Sequence, residues 1–210
     1  MVDFVATWGA LGRDLGENGD AWDSLGDDLH ARHAEPQRHY HVARHIESVI
    51  THLGTLDALA PVTLLAAFFH DAIYDPTATD NEARSAELAE TELARFDIDP
   101  HVVASVAAMI RATAGHQLPG RAGDLTKWFL DADLAILAAP PAVYDRYAVD
   151  IRAEYAHVPD DDFRQGRAAV LSGFLKRSRL YFSEAGHFHW EAGARANVER
   201  EITTLGQAKP

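Results

Sequence analysis

The sequence contains no cysteine among its 210 residues. Disulfides, zinc sites with thiolate ligands and catalysis by a thiol nucleophile are therefore excluded. No run of about 18 or more apolar residues occurs, so we expect no membrane-spanning helix. The first stretch, MVDFVATWGALGRDLGENGD, carries acidic residues early and lacks a long apolar core, unlike a signal peptide. These absences are compatible with a reducing cytoplasm, and we expect a cytoplasmic protein.

Basic residues are also fewer than acidic residues, and the formal net charge is -13. A surface of this sign repels a phosphate backbone, so we expect no nucleic-acid polymer as a partner. A small phosphorylated ligand remains compatible, because a bound metal ion and a few arginines reverse the field locally. Lysine occurs only at positions 127, 176 and 209, and we interpret the preference for arginine chiefly as gene base composition.

The apolar residues recur with a helical period nearly throughout, and alternating strand patterns are absent. Residues 62–74 are apolar all round, which indicates a helix buried on every side. We predict an all-α fold: a single helical domain over 1–210, with its core at about 38–182 and a loop at 115–123. An amphipathic segment from Trp8 to about Arg32 precedes a bundle of about eight helices. These helices are expected at about 41–59, 62–74, 80–96, 100–114, 124–139, 144–155, 163–181 and 190–205.

The apolar run AAFFHDAIYDP contains a histidine and an aspartate side by side, His70 and Asp71. One such dipeptide is expected by chance in a chain of this composition, so the apolar setting carries the significance. A buried carboxylate costs several kcal/mol unless it has a partner. A metal ion such as Zn, Fe or Mn would satisfy both side chains. A buried hydrogen bond between the two is the alternative, and this stretch alone does not decide.

Three histidines, His41, His45 and His52, lie on the preceding predicted helix. At about 100° per residue they form a row along one border of its apolar face. A side chain on that border can reach a partly buried site between helices. A lone histidine there would usually be structural, but a row that faces the His-Asp helix favours metal ligation. His45, in the middle of the row, is the strongest candidate.

The stretch FLDADLAIL offers two further carboxylates, Asp131 and Asp133. They lie about 200° apart on a helix, so they cannot serve one site equally. Asp133 falls inside the apolar arc that contains Phe129, whereas Asp131 falls outside it. A second inward carboxylate favours a cation shared with Asp71. A hydrogen bond between helices is the alternative interpretation of Asp133.

The ordered set His45, His70-Asp71 and Asp133 resembles the H…HD…D pattern of the HD-domain superfamily of metal-dependent phosphohydrolases. The blocks RHYHVARHIESVI, AAFFHDAIYDP, DNEARSAELA, FLDADLAIL and ARANVEREI are similar to a bacterial family of HD-type phosphohydrolases of unassigned substrate. The resemblance implies that these four residues hold a divalent Mn, Mg, Zn, Fe or Co ion. That ion would polarise a phosphoryl oxygen and activate a water to cleave a phosphomonoester or a nucleotide. Asp71 would also orient the attacking water.

The resemblance also indicates further site residues. His116, in ATAGHQLPG, matches a histidine that HD proteins often use for a second metal or the substrate phosphate; an exposed loop histidine is the alternative. Asp75 would replace the catalytic glutamate of some HD nucleotidases, although Asp-Pro also suits a turn. Glu82 is expected at the start of a helix, where its carboxylate interacts favourably with the positive end of the helix dipole. We expect His41 to contact substrate or support the ligands, and Asp131 to support them or lie on the surface.

Competing functions share parts of this pattern. An alarmone-type pyrophosphohydrolase has the same H…HD…D set, and a metal-bearing module that senses a nucleotide would need no catalytic glutamate. The two inward aspartates and the histidine row disfavour a purely structural helical protein. Several arginines could bind phosphate, but each is expected to be a solvated charge on a helix face: Arg38, Arg152, Arg167, Arg177 and Arg195.

Overall fold

The structure is a computed structural model that describes residues 2–120 and 122–207. These residues form ten α-helices and one 3₁₀ helix, with no strand among them, which confirms the all-α prediction. The helices are α1 (Phe4–Leu15), α2 (Asp20–Arg32), α3 (Ala43–Thr55), α4 (Pro61–Phe69), α5 (Asn81–Leu93), α6 (Pro100–Thr113), α7 (Asp124–Asp133), the 3₁₀ helix (Leu134–Ala138), α8 (Pro141–Glu154), α9 (Asp160–Leu175) and α10 (Glu184–Gln207). Lys209, the ends of the predicted domain and residue 121 of the predicted loop lie outside the described residues.

The described residues contain more helices than the eight or so predicted, because the predicted N-terminal segment is two helices. Gly16 ends α1 in the left-handed region, with φ 81°, and its N–H donates to the carbonyl of Arg13. Glycine adopts this conformation without a steric penalty, which makes it a common helix terminator. The two helices then pack together, and the rings of Trp8 and Trp22 stack with centroids 4.2 Å apart.

The buried helix α4 is the centre of the fold and ends earlier than predicted. Its residues from Leu65 to Phe69 are fully buried, and it packs against α1, α3, α5, α6 and α7. It stops at Phe69 rather than near Tyr74, because the N–H of Ile73, which a continuing helix would direct to the carbonyl of Phe69, instead donates to the hydroxyl of Ser85 at 3.0 Å. The guanidinium of Arg38 donates to the carbonyls of Asp71 and Ala72 at 2.7 and 3.2 Å. The His-Asp pair therefore lies at a helix end that faces α3 and α7.

The helix predicted over 124–139 also changes geometry part-way. α7 ends at Asp133 and continues as the 3₁₀ helix, which packs against α8 and α10. Asp133 thus stands at the junction of the two helices. None of the described helices combines the length and apolar character required to cross a bilayer.

Candidate metal centre

Side chains from three parts of the chain meet at the end of α4. His45 comes from α3, His70 and Asp71 follow α4, and Asp133 ends α7. The ring atoms Nε2 of His45 and His70 lie 3.0 Å apart. Asp71 Oδ2 lies 3.4 Å and 3.0 Å from these two nitrogens, and Asp133 Oδ1 lies 3.2 Å and 3.5 Å from them.

These spacings are compatible with ligand atoms arranged around one cation. Ligands about 2.1 Å from a tetrahedral metal ion are roughly 3.4 Å from one another, since a tetrahedral edge is about 1.6 times the bond length. His45, His70 and Asp133 offer ligand atoms that all lie within 4.8 Å of one another, so this group could hold a metal ion. Both histidines are almost fully buried, whereas the Asp71 side chain keeps 17% of its surface exposed. Imidazole and carboxylate together suit a divalent transition metal.

A hydrogen bond to the backbone fixes a proton on the His70 ring nitrogen that lies away from the cluster. Its Nδ1 lies 2.8 Å from the carbonyl oxygen of Ala67. A carbonyl only accepts, so Nδ1 carries the hydrogen, and once Nε2 has lost its own proton it presents a lone pair to the cluster. Ligand histidines are held in this way in metalloproteins.

The charges within the cluster shift its pKa values in opposite directions. Burial alone would lower the pKa of His70, but the charges of Asp71 and Asp133 outweigh burial and raise this pKa well above its usual range. Burial would also lower the pKa of His45, and the hydrogen bonds that its ring donates to the same two carboxylates raise it. Against the opposite effect of burial, the neighbouring histidines depress the pKa values of Asp71 and Asp133 well below normal. Protons on the imidazoles therefore supply the positive charge that a cation would bring.

His116 extends the cluster on the side of Asp133. Its Nε2 lies 2.9 Å from Asp133 Oδ2, the oxygen not directed at the other histidines. The backbone of His116 has φ 44°, a left-handed conformation that costs a non-glycine residue free energy. The guanidinium of Arg177 holds this turn by donating to the carbonyls of Gly115 and His116 at 3.0 and 2.8 Å. His116 is thus brought to the cluster by a strained, externally supported turn.

His41 lies beside the cluster and is oriented by Glu154 on α8. His41 Nδ1 lies 2.7 Å from Glu154 Oε2. Burial opposes ionisation of this glutamate, but the hydrogen bonds from His41 and the backbone lower the pKa of Glu154 to about 2. An ionised carboxylate only accepts, so His41 Nδ1 carries the hydrogen. Glu154 was not identified from the sequence.

Glu154 accepts hydrogen bonds from several groups at once. Its Oε1 accepts from the backbone N–H groups of residues 39, 40 and 41 at 2.8 to 2.9 Å, and its Oε2 accepts from the Tyr74 hydroxyl at 2.8 Å. One side chain therefore ties α8 to the turn before α3 and to the segment after Asp71. Arg38, expected as a solvated charge, is also buried, since it binds the carbonyls after α4.

Asp131 serves the scaffold. It is buried rather than on the surface, and its two oxygens accept from the backbone N–H groups of Phe182 and Ser183 at 2.7 Å. These donors precede α10, whose Gly186 approaches so closely that a Cβ there would lie 2.5 Å from Asp131 Oδ2. Asp131 thus points away from Asp133, as their angular separation predicts.

Asp75 lies in an exposed turn. Its Oδ1 accepts from the backbone N–H and the hydroxyl of Thr77 at 2.8 and 2.7 Å. It is not among the residues that line the cavities at the cluster. The geometry fits its interpretation as a turn residue, and its catalytic role stays a prediction. His52 is also apart from the cluster, with its ring 5.4 Å from that of Trp190.

Three cavities adjoin the cluster. One of about 140 Å³ is lined by Asp71, Asp133 and His116, and it shares seven lining residues with a larger cavity of about 960 Å³. A third, of about 370 Å³, reaches His45 and Asp133 from the side of Trp190. Glu82, expected only to favour a helix dipole, lines both of the first two. The cluster is therefore open to a ligand.

Comparison with known proteins gives no match: no protein-family model, curated protein or solved structure is similar to this chain at a significant level.

Proposed function

We propose that this protein is a metal-dependent phosphohydrolase of the HD-domain superfamily, acting on a phosphomonoester or a nucleotide. One observation carries the proposal: the two imidazole nitrogens lie 3.0 Å apart, and a carboxylate oxygen of Asp71 and one of Asp133 each lie 3.0 to 3.5 Å from both nitrogens, beside a cavity. Two histidines with two carboxylates leave coordination positions for water and substrate, as a catalytic site requires. We assign His45, His70, Asp71 and Asp133 as the ligands.

A divalent ion in this site would polarise a phosphoryl oxygen and lower the pKa of a bound water toward neutrality. Asp71 is the ligand whose carboxylate is least enclosed, so we assign to it the orientation of the attacking water. Asp133 is held between the histidine pair and His116, which fixes its rotamer.

The leaving group requires a proton donor in the same cavity. Glu82 and His116 are titratable, and both line the cavity that contains Asp71. Glu82 forms no ion pair within the described part of the chain. We therefore propose Glu82 and His116 as the two proton-transfer candidates. The pH profile of kcat in Glu82→Gln and in His116→Gln would separate their roles. A variant that loses the basic limb lacks the group that donates a proton, and a variant that loses the acidic limb lacks the group that accepts one.

The deciding experiment is metal analysis followed by a substrate panel. Purified protein is assayed for bound metal, then incubated with nucleotides and phosphomonoesters in the presence of Mn, Mg, Co, Zn or Fe. We expect metal-dependent phosphate release that is lost in His70→Ala and Asp71→Ala. Phosphate release that persists in both variants would come from a contaminating phosphatase.

A folded, metal-loaded sample that hydrolyses none of these compounds would contradict the proposed activity. The chain would then be a metal-bearing binding module. Release of pyrophosphate from an alarmone, with no release from monoesters, would instead assign the narrower pyrophosphohydrolase activity.

A further inference from the structure

The large cavity continues outward from the proposed metal centre along α9. The face that α9 turns to it includes Phe163, Val170 and Phe174, while Gly166 and Gly173 contribute no side chain. Tyr155 and Ile151 of the α8 region form part of the opposite wall. At about 960 Å³ the cavity is near the upper end of the range of about 300–1,000 Å³ for ligand sites, so it accommodates far more than a phosphate group.

Two adjacent cations, Lys176 and Arg177, lie at the end of this cavity where α9 ends. Neither forms an ion pair with a described carboxylate, although thirteen other lysines and arginines of the described residues do. Those thirteen are 32, 38, 84, 95, 111, 127, 146, 152, 164, 167, 179, 195 and 200. In a chain of net charge -13, two neighbouring uncompensated cations are a local reversal of sign.

The scaffold accounts for these two charges only in part. A cation often compensates the C-terminal dipole of a helix. At the end of α9 that role belongs to Arg195, which donates to the carbonyls of Leu175 and Arg177 at 3.2 and 2.9 Å. Arg177 itself binds two carbonyls, which satisfy its hydrogens but leave its positive charge without an anion. Lys176 has an exposed side chain with no hydrogen bond to another described residue.

The other charges of the cavity lie elsewhere. Arg167 is neutralised by Glu201, which it contacts at 2.8 and 3.2 Å. Asp162 is on the first turn of α9, about 21 Å along the helix from Lys176 at 1.5 Å per residue. Arg177 supports the turn of His116, whose ring contacts Asp133. Glu82 lines both this cavity and the smaller one that contains Asp71 and Asp133, whereas Lys176 and Arg177 line only the larger of the two. The two cations therefore lie outside the small cavity at the ligands.

We infer that this cavity binds the body of an organic phosphate that carries a second anionic group. The scissile phosphate lies at the histidine–aspartate cluster, the apolar or aromatic body lies against α9, and Lys176 and Arg177 hold the second anion. The inference rests on the proposed function, since it takes the cluster as the site of the scissile phosphate.

The test measures binding without turnover. Metal-loaded protein is titrated by calorimetry with hexane bisphosphonate and with hexylphosphonate, whose carbon–phosphorus bonds are not hydrolysed. We expect the bisphosphonate to bind at least about fivefold more tightly, because its second phosphonate forms charge pairs with both Lys176 and Arg177. Ethane bisphosphonate should have a smaller advantage, since Lys176 and Arg177 line the larger cavity but not the small cavity that contains Asp71 and Asp133.

Lys176→Glu should reduce the preference for hexane bisphosphonate to about twofold or less and leave hexylphosphonate unaffected. Arg13→Gln is the matched control, because Arg13 is another cation without an ion pair among the described residues and lines none of the cavities at the cluster. Equal affinity of the two probes for the wild-type protein would overturn the inference. Equal weakening of both probes by Lys176→Glu would also overturn it, because the cations would then hold the scissile phosphate.

The two proposals fail in different ways. A protein that hydrolyses phosphate esters but binds both phosphonates equally contradicts the second anion site and leaves the phosphohydrolase standing. A protein that prefers the bisphosphonate through Lys176 but hydrolyses no ester contradicts the phosphohydrolase and leaves the anion site standing.

Discussion

Two sets of buried carboxylates in this protein have opposite kinds of neighbours. Asp131 and Glu154 accept mainly from backbone N–H groups and a tyrosine hydroxyl, and the one imidazole among these partners, His41, donates through Nδ1 even when the ring is neutral. Asp71 and Asp133 are surrounded by imidazoles, which donate only when a proton is present. The first set is complete with protein atoms alone. The second set requires protons or a cation to balance it.

The contrast is sharpest between Asp131 and Asp133, two residues apart on one helix turn. Their difference shows that burial of a carboxylate does not identify a functional site. The identifying feature is a set of partners that protein hydrogen bonds leave electrostatically incomplete. Substitutions that preserve shape but remove charge separate the two sets directly.

The largest effect is expected for Asp133→Asn. The amide is a poor ligand for a divalent transition metal, and loss of the charge leaves the histidines without a counterion. We expect metal affinity to fall by more than about 100-fold, since even residues behind the ligands change it by 10- to 100-fold. Equilibrium dialysis against a competing chelator measures this. Unchanged affinity would remove Asp133 from the ligand set.

Asp131→Asn should show the reverse pattern. The amide NH₂ would face a backbone N–H that now has no acceptor, so we expect a loss of about 2 to 3 kcal/mol in the free energy of unfolding. Metal stoichiometry should remain that of the wild type. Urea denaturation and metal analysis on the same preparation give both numbers. If Asp131→Asn lost the metal with no loss of stability, the division into scaffold and site carboxylates would be wrong.

Glu154→Gln tests whether the scaffold carboxylate also orients a site residue. The amide NH₂ cannot accept from His41 Nδ1–H or the Tyr74 hydroxyl, so we expect a loss of about 2 kcal/mol of stability. His41 should then move its proton to Nε2, which faces the cavity. The ring ¹⁵N shifts in NMR report this tautomer.

Tyr74→Phe is the matched control for Glu154→Gln. It removes one donor to the same carboxylate at 2.8 Å and leaves His41 Nδ1 bound. We expect about 1 kcal/mol of destabilisation and no change of tautomer. A tautomer that stays the same in both variants would show that Glu154 is structural only.

The pH dependence of metal binding should distinguish the two sets of carboxylates, because only the partners of Asp71 and Asp133 release protons when a metal binds. Metal affinity should change by about tenfold per pH unit for each proton displaced. The pKa values of His45 and His70 are raised without a metal, so both rings must lose protons to bind one. Affinity should therefore rise with pH until these raised pKa values are passed. In the metal-free protein, the stability from the charged histidines is present below the usual histidine pKa. It is lost as pH rises through the raised values.

Glu154, with its pKa lowered to about 2, should contribute nothing to this dependence near neutral pH. The stability that it contributes is present above its ordinary pKa and is lost only as the pH falls toward 2. Calorimetry in buffers of different ionisation enthalpy counts the protons released on metal binding. No released proton between about pH 6 and 8 would contradict the raised histidine pKa values.

The sequence predicts what short-range patterns encode. Helical periodicity places the elements, and the angular separation on α7 distinguishes Asp133 from Asp131. The same angular pattern predicts that Asp131 lies outside the apolar arc of α7. Asp131 is nevertheless buried, because α10 covers that side of α7. A single helix carries no information about which distant helix will cover it.

Glu154 shows why the remainder was not predictable. Its partners at residues 39 to 41 lie 113 to 115 positions away in the chain. Arg38 likewise donates to carbonyls 33 and 34 residues away. An arginine that was expected to be solvated is therefore buried. Groups that support the site are long-range partners, and only the assembled fold brings them together.

The smallest effect is expected for Asp75→Ala, which tests the catalytic role predicted for this residue. Its side chain bonds only within its own turn, to Thr77, and lines none of the cavities at the cluster. We expect kcat/KM to change by less than about twofold, because proton transfer requires contact with the substrate. Glu82→Gln is the comparison, since Glu82 lines the cavity and should lower kcat. If Asp75→Ala lowered kcat as much as Glu82→Gln, the exposed turn would have to move to the substrate, and the prediction from the sequence would stand.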